Sequence, residues 1–541
     1  MPVIIAPAPK GLTPIALGNE ALTLSRKQVD ARHPNWQQNK EMWGNVALLY
    51  EGGDAVKRAA AQFLDKRPAE DSSVYSHRLK QFCYENNLGT GLGWHEAKMF
   101  ESEPTISIKA KGKDGQPTDA KLSPDQDAFY NQRCLKDCDR HGCSLVDMYR
   151  EVFTNLLLYG HSYVMVDLPA RDPDKPVSTL QDEKAQHLLD PYVCVLSPLD
   201  VINWECDSHR NLNWAVVYSK TEEREFAKPV TVVERWYLYT RQQYRVYEIR
   251  TVQAENSTPA SSDAGTAELV RAGYHPMAAL NRVPLQKIEV PPGWWMANRA
   301  YLPVLKHINV TNALHWSLFM AALAVPVVIT EDDIGSIMQT EHGFIKLGIG
   351  SDYKFAEPSG RCWEALAQEA ETLKQEIFRE MYLVAQARDT SATPAAQSGV
   401  SKQQDMQPSK EVLNGMGDIL RAAIQGTLDA VAAARNVALS DVDANLTFDV
   451  RGFQFKESAS KDEVSAVQQV LNLDIPSPTF EKEVHKYAVA SVIPDMNPDT
   501  RKVIFDEIDA APAREERDLE RRKKENQLLA DSMGAAMGAG A

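Results

Sequence analysis

Only seven of the 541 residues are cysteine, an odd number scattered from Cys83 to Cys362. That pattern excludes a disulfide framework, and a core this large needs no covalent staples. The amino terminus has no basic start followed by a continuous apolar run, so no signal peptide is expected and a reducing cytoplasm is the plain reading. Motifs for chemistry are equally scarce. No GxxxxGK[ST] occurs, which disfavours a nucleotide-driven motor. Gly89-Thr90-Gly91-Leu92-Gly93 lacks a glycine at the phosphate-loop offset and follows no clear strand, so it reads as a flexible loop. His95-Glu96 has no second histidine at zincin spacing, and Val164 stands where a nucleophile elbow around Ser162 needs glycine. Asp441, Asp443, Asp506 and Glu507 sit in charged contexts and read as solvated faces. No catalytic residue and no cofactor is assigned, and the chain reads as structural rather than enzymatic.

What is present is ordinary for a globular protein. Hydrophobic residues make up 43% and charged residues 25%, which disfavours disorder and an integral membrane bundle. The length predicts three or four compact units. Lys plus Arg total 59 against 74 Asp plus Glu, a formal charge of −15. A surface this acidic repels a duplex, so any DNA contact is loose or confined to a few side chains. One uncharged stretch, Asn309–Thr330, has the roughly 20-residue length of a membrane span. Its Asn309, Thr311, Asn312, His315, Ser317 and Pro326 predict a buried or subunit-facing helix instead. Cys134, Cys138, His141 and Cys143 are zinc-ligand types within ten residues. Their 3-2-1 spacing matches no standard knuckle or ribbon. Independent thiols around a turn is the preferred reading, a zinc-dependent protein the alternative, and no metal is assigned.

Periodicity divides the chain. Residues 1–40 read as an extended arm, 44–64 as a helix ended by Pro68, and 72–86 as a second helix. Ser144 is the expected N-cap of a helix over 145–159, Gly160 its left-handed stop, and SYVMVDLP a following strand. Residues 191–253 are enriched in β-branched and aromatic types, and their short connections predict antiparallel pairing. The second half runs long helix (297–324, with Tyr301, Leu305, Ile308, Leu318 and Ala322 on one side), small β insert (325–362), long helix (363–388), small-residue loop, and long helix (402–435) weakened midway by Gly415, Gly417 and Gly426. The strand NLTFDVRGFQF closes it. A small Pro-punctuated helical unit and a mixed-charge helical tail follow.

That order, from about residue 45 to 510, resembles the portal proteins of tailed bacteriophages. The segments that carry the likeness are YEGGDAVKRAAAQFLDKRP, VYSHRLKQF, GCSLVDMYREVFTNLLLYGHSYVMVDLP, VCVLSPLDVINWE, RVPLQKIEV and the Ser-Gly of AAQSGVSKQQ. None is a tight motif; their collinearity makes the resemblance. It implies an α+β portal fold: an N-terminal arm (1–43), an α/β wing (44–296), a two-helix stem (297–324 and 363–388), a small β-containing clip (325–362), a tunnel loop (389–401), a return helix and strand (402–456), a helical crown (457–530) and a flexible tail (531–541). It also implies a ring, usually of twelve copies, in the virion at one capsid vertex, assembled in the host cytoplasm. Double-stranded DNA would pass through without sequence-specific contact. Terminase large subunit, major capsid and scaffolding proteins and a head-to-tail adaptor would be partners, and no membrane is involved. The resemblance places Arg388, Ser391, Thr393, Ser398, Gly399, Lys402 and Lys410 at the DNA-facing loop, and Lys346 and Lys354 on the docking clip. A non-catalytic virion scaffold without a channel is the other reading.

Overall fold

The computed structural model describes residues 4–5, 22–101, 104–111, 117–118, 122–169, 179–226, 228–252, 265–322, 325–329, 352–356, 361–383, 399–439, 441–453, 469–470, 477–492 and 498–510. The chain forms two compact units, Met1–Phe453 and Gln454–Ala541. Helix and sheet are mixed throughout the first, and the fold is α+β.

The first unit opens with strands β1 (Ile4–Ile5) and β2 (Thr23–Ser25), a one-turn helix α1 (Arg26–Val29), and α2 (Pro34–Glu51). Pro34 does not punctuate an arm. It occupies the first turn of α2, where its missing N–H costs nothing, and the His33 ring accepts from the Asn35 N–H. Gly52 and Gly53 then both take positive φ, so the helix expected over 44–64 is interrupted and resumes as the short α3 (Gly53–Arg58). The periodicity continued through the break because a glycine pair interrupts the backbone without shifting the apolar pattern.

Helix α4 (Ser72–Lys80) ends at Gln81, short of the expected Asn86. The stretch read as a glycine loop is helix α5 (Asn87–Met99), capped by the Asn86 side chain, which accepts from the Gly89 N–H at 2.8 Å. Three glycines lower its propensity, but at Gly91 a Cβ would lie 2.2 Å from Met381 Cε, so close packing explains that one. Strands β3 (Thr105–Lys111) and β4 (Pro117–Thr118) precede α6 (Pro124–Phe129), which carries a Ser123–Gln126 capping box. Helix α7 (Leu145–Tyr159) has the expected caps: Ser144 Oγ accepts from the Asp147 N–H, and Gly160 sits at φ 77°. It leads directly into β5 (His161–Asp167), and a short helix α8 (Leu180–Ala185) follows.

The β-rich region is antiparallel but split. Strand β6 (Tyr192–Leu196) pairs with the preceding strand β5, not with the strands that follow it. Strands β7 (Val201–Cys206), β8 (Leu212–Glu223), β9 (Thr231–Thr240), β10 (Gln243–Val252) and β11 (Thr266–Tyr274) form a seven-stranded sheet that β1 and β2 join through β11. Strand β12 (Leu285–Glu289) completes the small sheet β12-β5-β6. Period-2 alternation gives the large sheet two apolar faces. Trp236, Tyr247 and Leu269 lie on one with Val29, while Tyr239, Ala215 and Val217 pack against Tyr163, Met165 and Leu285 of the small sheet.

Next come α9 (Met296–Ala322), the antiparallel strand pair β13 (Val325–Ile329) and β14 (Asp352–Ala356), α10 (Arg361–Glu380) and α11 (Gly399–Leu439). Strand β15 (Leu446–Arg451) returns to pair with β3. The glycines expected to weaken the last long helix sit where neighbouring residues leave no room for a side chain. A Cβ at Gly415 would stand 2.1 Å from Trp294 Cη2, and one at Gly417 2.0 Å from the Phe453 carbonyl oxygen. In the second unit, α12 (Pro478–Val492) and α13 (Pro498–Ala510) are joined by Lys486, which pairs with Asp509 at 2.8 Å.

Candidate functional site

Helices α9 and α10 run antiparallel. Arg299 pairs with Glu380 at 3.0 Å and Lys306 with Glu369 at 2.8 Å, so the partner number falls as the α9 number rises. These are largely exposed pairs, worth about 0–1 kcal/mol each, and they set register more than stability. Stability comes from the apolar stripes. On α10, Ala370, Leu373, Ile377 and Met381 are buried at helical spacing. On α9 the buried residues are Met296, Ala297, Ala300, Val304, His307, Ile308 and Asn312, at i, i+3 and i, i+4 spacing. Of the apolar residues expected on one side of this helix whose burial is described, Ile308 is fully buried and Tyr301 and Leu305 are half-buried. Leu318 is exposed, together with Leu302 and Phe319.

Asn309, Thr311, Asn312 and Ser317 of the uncharged run have backbone partners, and His315 is exposed. Asn309 accepts from the Asp65 N–H at 3.0 Å and donates to Phe63 O at 3.0 Å. Asn312 accepts from the Cys83 N–H at 3.0 Å and donates to Cys83 O at 2.8 Å. Each amide therefore reads a loop of the α3–α5 region as a strand partner would, which satisfies both halves of a buried carboxamide. Among the described residues no helix is long and apolar enough to cross a membrane.

The end of α10 falls well before Arg388, where the helix was expected to stop. Tyr382 adopts φ 62°, its N–H donates to Arg379 O at 3.0 Å, and the Leu383 N–H donates to Phe378 O at 2.8 Å. This is a Schellman stop made without glycine, and the left-handed position costs a tyrosine about 1–2 kcal/mol. The surroundings hold it there. Arg299 lies 4.5 Å over the Tyr382 ring and donates to its hydroxyl at 2.6 Å, that hydroxyl donates to Gly293 O at 2.9 Å, and Ser409 donates to Tyr382 O. Beneath, His95 Nε2 stands 2.8 Å from Met381 O. Burial lowers its pKa to about 4, so the ring is neutral and, facing a carbonyl, carries its proton on Nε2. Nothing in the sequence signals this stop, because the residue at the left-handed position is aromatic.

The segment expected to face DNA begins just beyond. Arg388, Ser391, Thr393 and Ser398 lie outside the described residues. Gly399, placed in the loop, belongs to the first turn of α11, and Lys402 and Lys410 follow on the same helix. On the expected clip, Lys354 is on β14 opposite Val327, and Lys346 lies outside the described residues.

At the far end of α11 an ion network is sunk in the core. Arg435, 1% exposed, meets Asp443 at 2.9 and 3.2 Å and Asp125 at 2.7 Å. Its guanidinium also lies 4.2 Å over the Phe129 ring. Tyr130 donates to Asp443 at 2.9 Å. Asp443, read from sequence as a solvated face, is fully buried. Arg435 and Asp443 are eight residues apart, but Asp125 and Tyr130 lie 310 and 313 residues from their partners, so no local pattern could announce the network. The network ties α11 to α6 and to the start of β15.

The cysteine cluster does not converge on a centre. Cys134 and Cys138 are buried, Cys138 Sγ lies 3.8 Å from Met148 Sδ, Cys143 donates to Ser144 O, and His141 is exposed. Burial pushes the Cys134 thiol up to about 12 and raises that of Cys138. The turn is built by Asp139, whose carboxylate accepts from the His141 and Cys143 N–H groups. Among the described residues no group of three His, Cys, Asp or Glu side chains is placed to hold a metal ion.

No family model matches the sequence, and no curated protein matches it. Solved chains similar in outline include the following three. One is from the virion of a native gene transfer agent particle, 11% identical, with TM-score 0.33, covering 79% of this chain and 97% of that one. A second is from the neck of an empty gene transfer agent particle computed with C6 symmetry, 12% identical, TM-score 0.31, covering 84% and 98%. A third is from the neck of a native particle computed with C12 symmetry, 11% identical, TM-score 0.31, covering 84% and 99%. Likeness of this degree assigns no function.

Proposed function

We propose that this chain is the portal subunit of a tailed-phage-like particle. It is a non-catalytic virion protein that closes into a ring of about twelve copies at one capsid vertex, and its lumen passes double-stranded DNA in both directions. The observation that carries the reading is the excursion from Met296 to Leu383. Two antiparallel helices leave and re-enter an α/β body, joined by a strand pair, and α9 keeps Leu302, Leu318 and Phe319 exposed. Apolar groups left outside on a helix already packed within its own chain suit side-by-side copies. The charge of −15 per chain suits a lumen that does not grip phosphate.

In this reading the segment 325–362 docks the terminase large subunit during packaging and a head-to-tail adaptor afterwards. The segment 389–401 faces the duplex, and capsid and scaffolding proteins surround the body. Native mass spectrometry of the 60.4 kDa chain then gives a species of about 0.7 MDa, and axial electron micrographs show an open centre. A solid or monomeric particle, both alone and with scaffolding protein, and likewise in assembled heads, overturns the reading.

A further inference from the structure

We propose that His33 is a proton-operated latch that seats helix α2 on the outer strand β7 of the large sheet. Its ring fills the N-cap position, where Asn, Asp, Ser or Thr is usual because a side-chain oxygen there accepts from the helix. Pro34 in the first turn brings no N–H, so the first orphan donor of α2 belongs to Asn35, and it reaches His33 Nδ1 at 3.2 Å. The proton of the neutral ring is therefore on Nε2. The same residue ties the helix to the sheet. The His33 N–H donates to Ile202 O at 2.9 Å, and Trp36 Nε1, three residues on, donates to Leu199 O at 3.2 Å. Strand β7 is the last of its sheet, and these two bonds fasten the helix to the carbonyls at its beginning.

Protonation ends the cap. An imidazolium carries N–H on both nitrogens and accepts nothing, so the Asn35 N–H would face a second donor. The positive pole of an 18-residue helix opposes the added charge as well. Burial, and then Lys287 of β12, hold the His33 pKa below its ordinary 6.5. Against this, the stack on Trp204, with 4.0 Å between ring centroids and 13° between planes, favours the cation, but it supplies Asn35 with no acceptor. The carboxylates on the surrounding elements each have another partner. Asp30 pairs with Arg32 at 2.6 Å and accepts from Trp236 Nε1 at 3.0 Å, and Glu205 of β7 accepts from Trp214 Nε1 at 2.7 Å. Glu289 of β12 pairs with Lys287 at 2.5 Å and with Arg210 at 3.6 Å. His161 of β5 is kept neutral by burial and by Lys287, and Cys206 of β7 is exposed. As pH falls through the His33 pKa, the first turn of α2 opens and its hold on Ile202 O and Leu199 O loosens. An asparagine here would cap at every pH; histidine makes the seat conditional.

The test is amide hydrogen exchange on the full chain at pH 7.5 and pH 5, scaled for intrinsic rate and read by mass spectrometry in peptides covering residues 34–40. Protection there is expected to fall at least tenfold at pH 5 in the native chain. In His33→Asn, which keeps an acceptor that does not titrate in this range, it is expected to stay within about twofold. No fall in the native chain overturns the latch. An equal fall in His33→Asn assigns the opening to other groups and overturns it too. If His33→Asn is already unprotected at pH 7.5, the stack on Trp204 and not the cap seats the helix, and the proposal fails. None of these outcomes bears on ring formation, so the portal reading stands or falls separately.

Discussion

Removing Asp443 tests whether the buried network holds α11 in place. Arg435 has 1% exposure, and of its carboxylate partners Asp443 is wholly buried while Asp125 is 59% exposed. Asp443→Ala therefore leaves a buried guanidinium facing the solvent-screened Asp125 and, at 3.9 Å from its Nε, Asp190, and it also strips Tyr130 of its acceptor. Breaking a buried pair from one side costs about 3–5 kcal/mol. Asp125→Ala, which removes the exposed partner, costs only about 0–1 kcal/mol. Removing the whole network with Arg435→Met, Asp443→Leu and Tyr130→Phe recovers most of the loss, because no charge or hydroxyl is left stranded. Urea unfolding followed by tryptophan fluorescence measures this in the first unit alone, since all ten tryptophans fall between Trp36 and Trp363. The expected sign is a lower midpoint at unchanged slope for Asp443→Ala. If Asp443→Ala and Asp125→Ala shift the midpoint equally, the network is not a buried charge pair and the argument fails.

Other positions give sharper readouts. His95 is held neutral with its pKa near 4, below the 6.5 of the free side chain. The unfolded chain therefore takes up the proton first, and stability is lost as pH falls from 6.5 to 4, then levels off. His95→Gln, which keeps a donor for Met381 O, should flatten that slope, seen as a smaller fall in unfolding midpoint between pH 7 and 4.5. Gly417→Ala sets a methyl 2.0 Å from a backbone oxygen and should destabilise the first unit by about 1–3 kcal/mol in the same assay. Asn312→Asp removes the donors to Cys83 O and Ile308 O and should accelerate proteolysis at the loop around Cys83, whereas His315→Asp, at an exposed position of the same helix, should not.

Much of the architecture was legible because it is local. Ser144 and Gly160 bracket α7 by their own conformational preferences, and the succession of long helices around a β insert follows from apolar periodicity. What could not be read depends on distant partners. The glycines of α5 and α11 look like breakers until Met381, Trp294 and Phe453 are seen against them. Tyr382 stops α10 by virtue of Arg299, Gly293 and Ser409, none of them adjacent in sequence. Asp443 looks like surface until Tyr130, 313 residues away, closes over it beside Arg435. The residues expected to meet DNA were named from resemblance, and most of them lie outside the described part of the chain.

The pairing of β15 with β3 joins positions about 340 residues apart. On a ribosome adding roughly 5–20 residues per second, β3 emerges some 20–70 s before its partner exists. Throughout that interval one edge of β3 has only solvent to bond, and the two-residue β4 guards little of the other. The body of this protein is therefore completed late in translation, and a nascent chain truncated before Leu446 should be bound by holdase chaperones far more than the finished one.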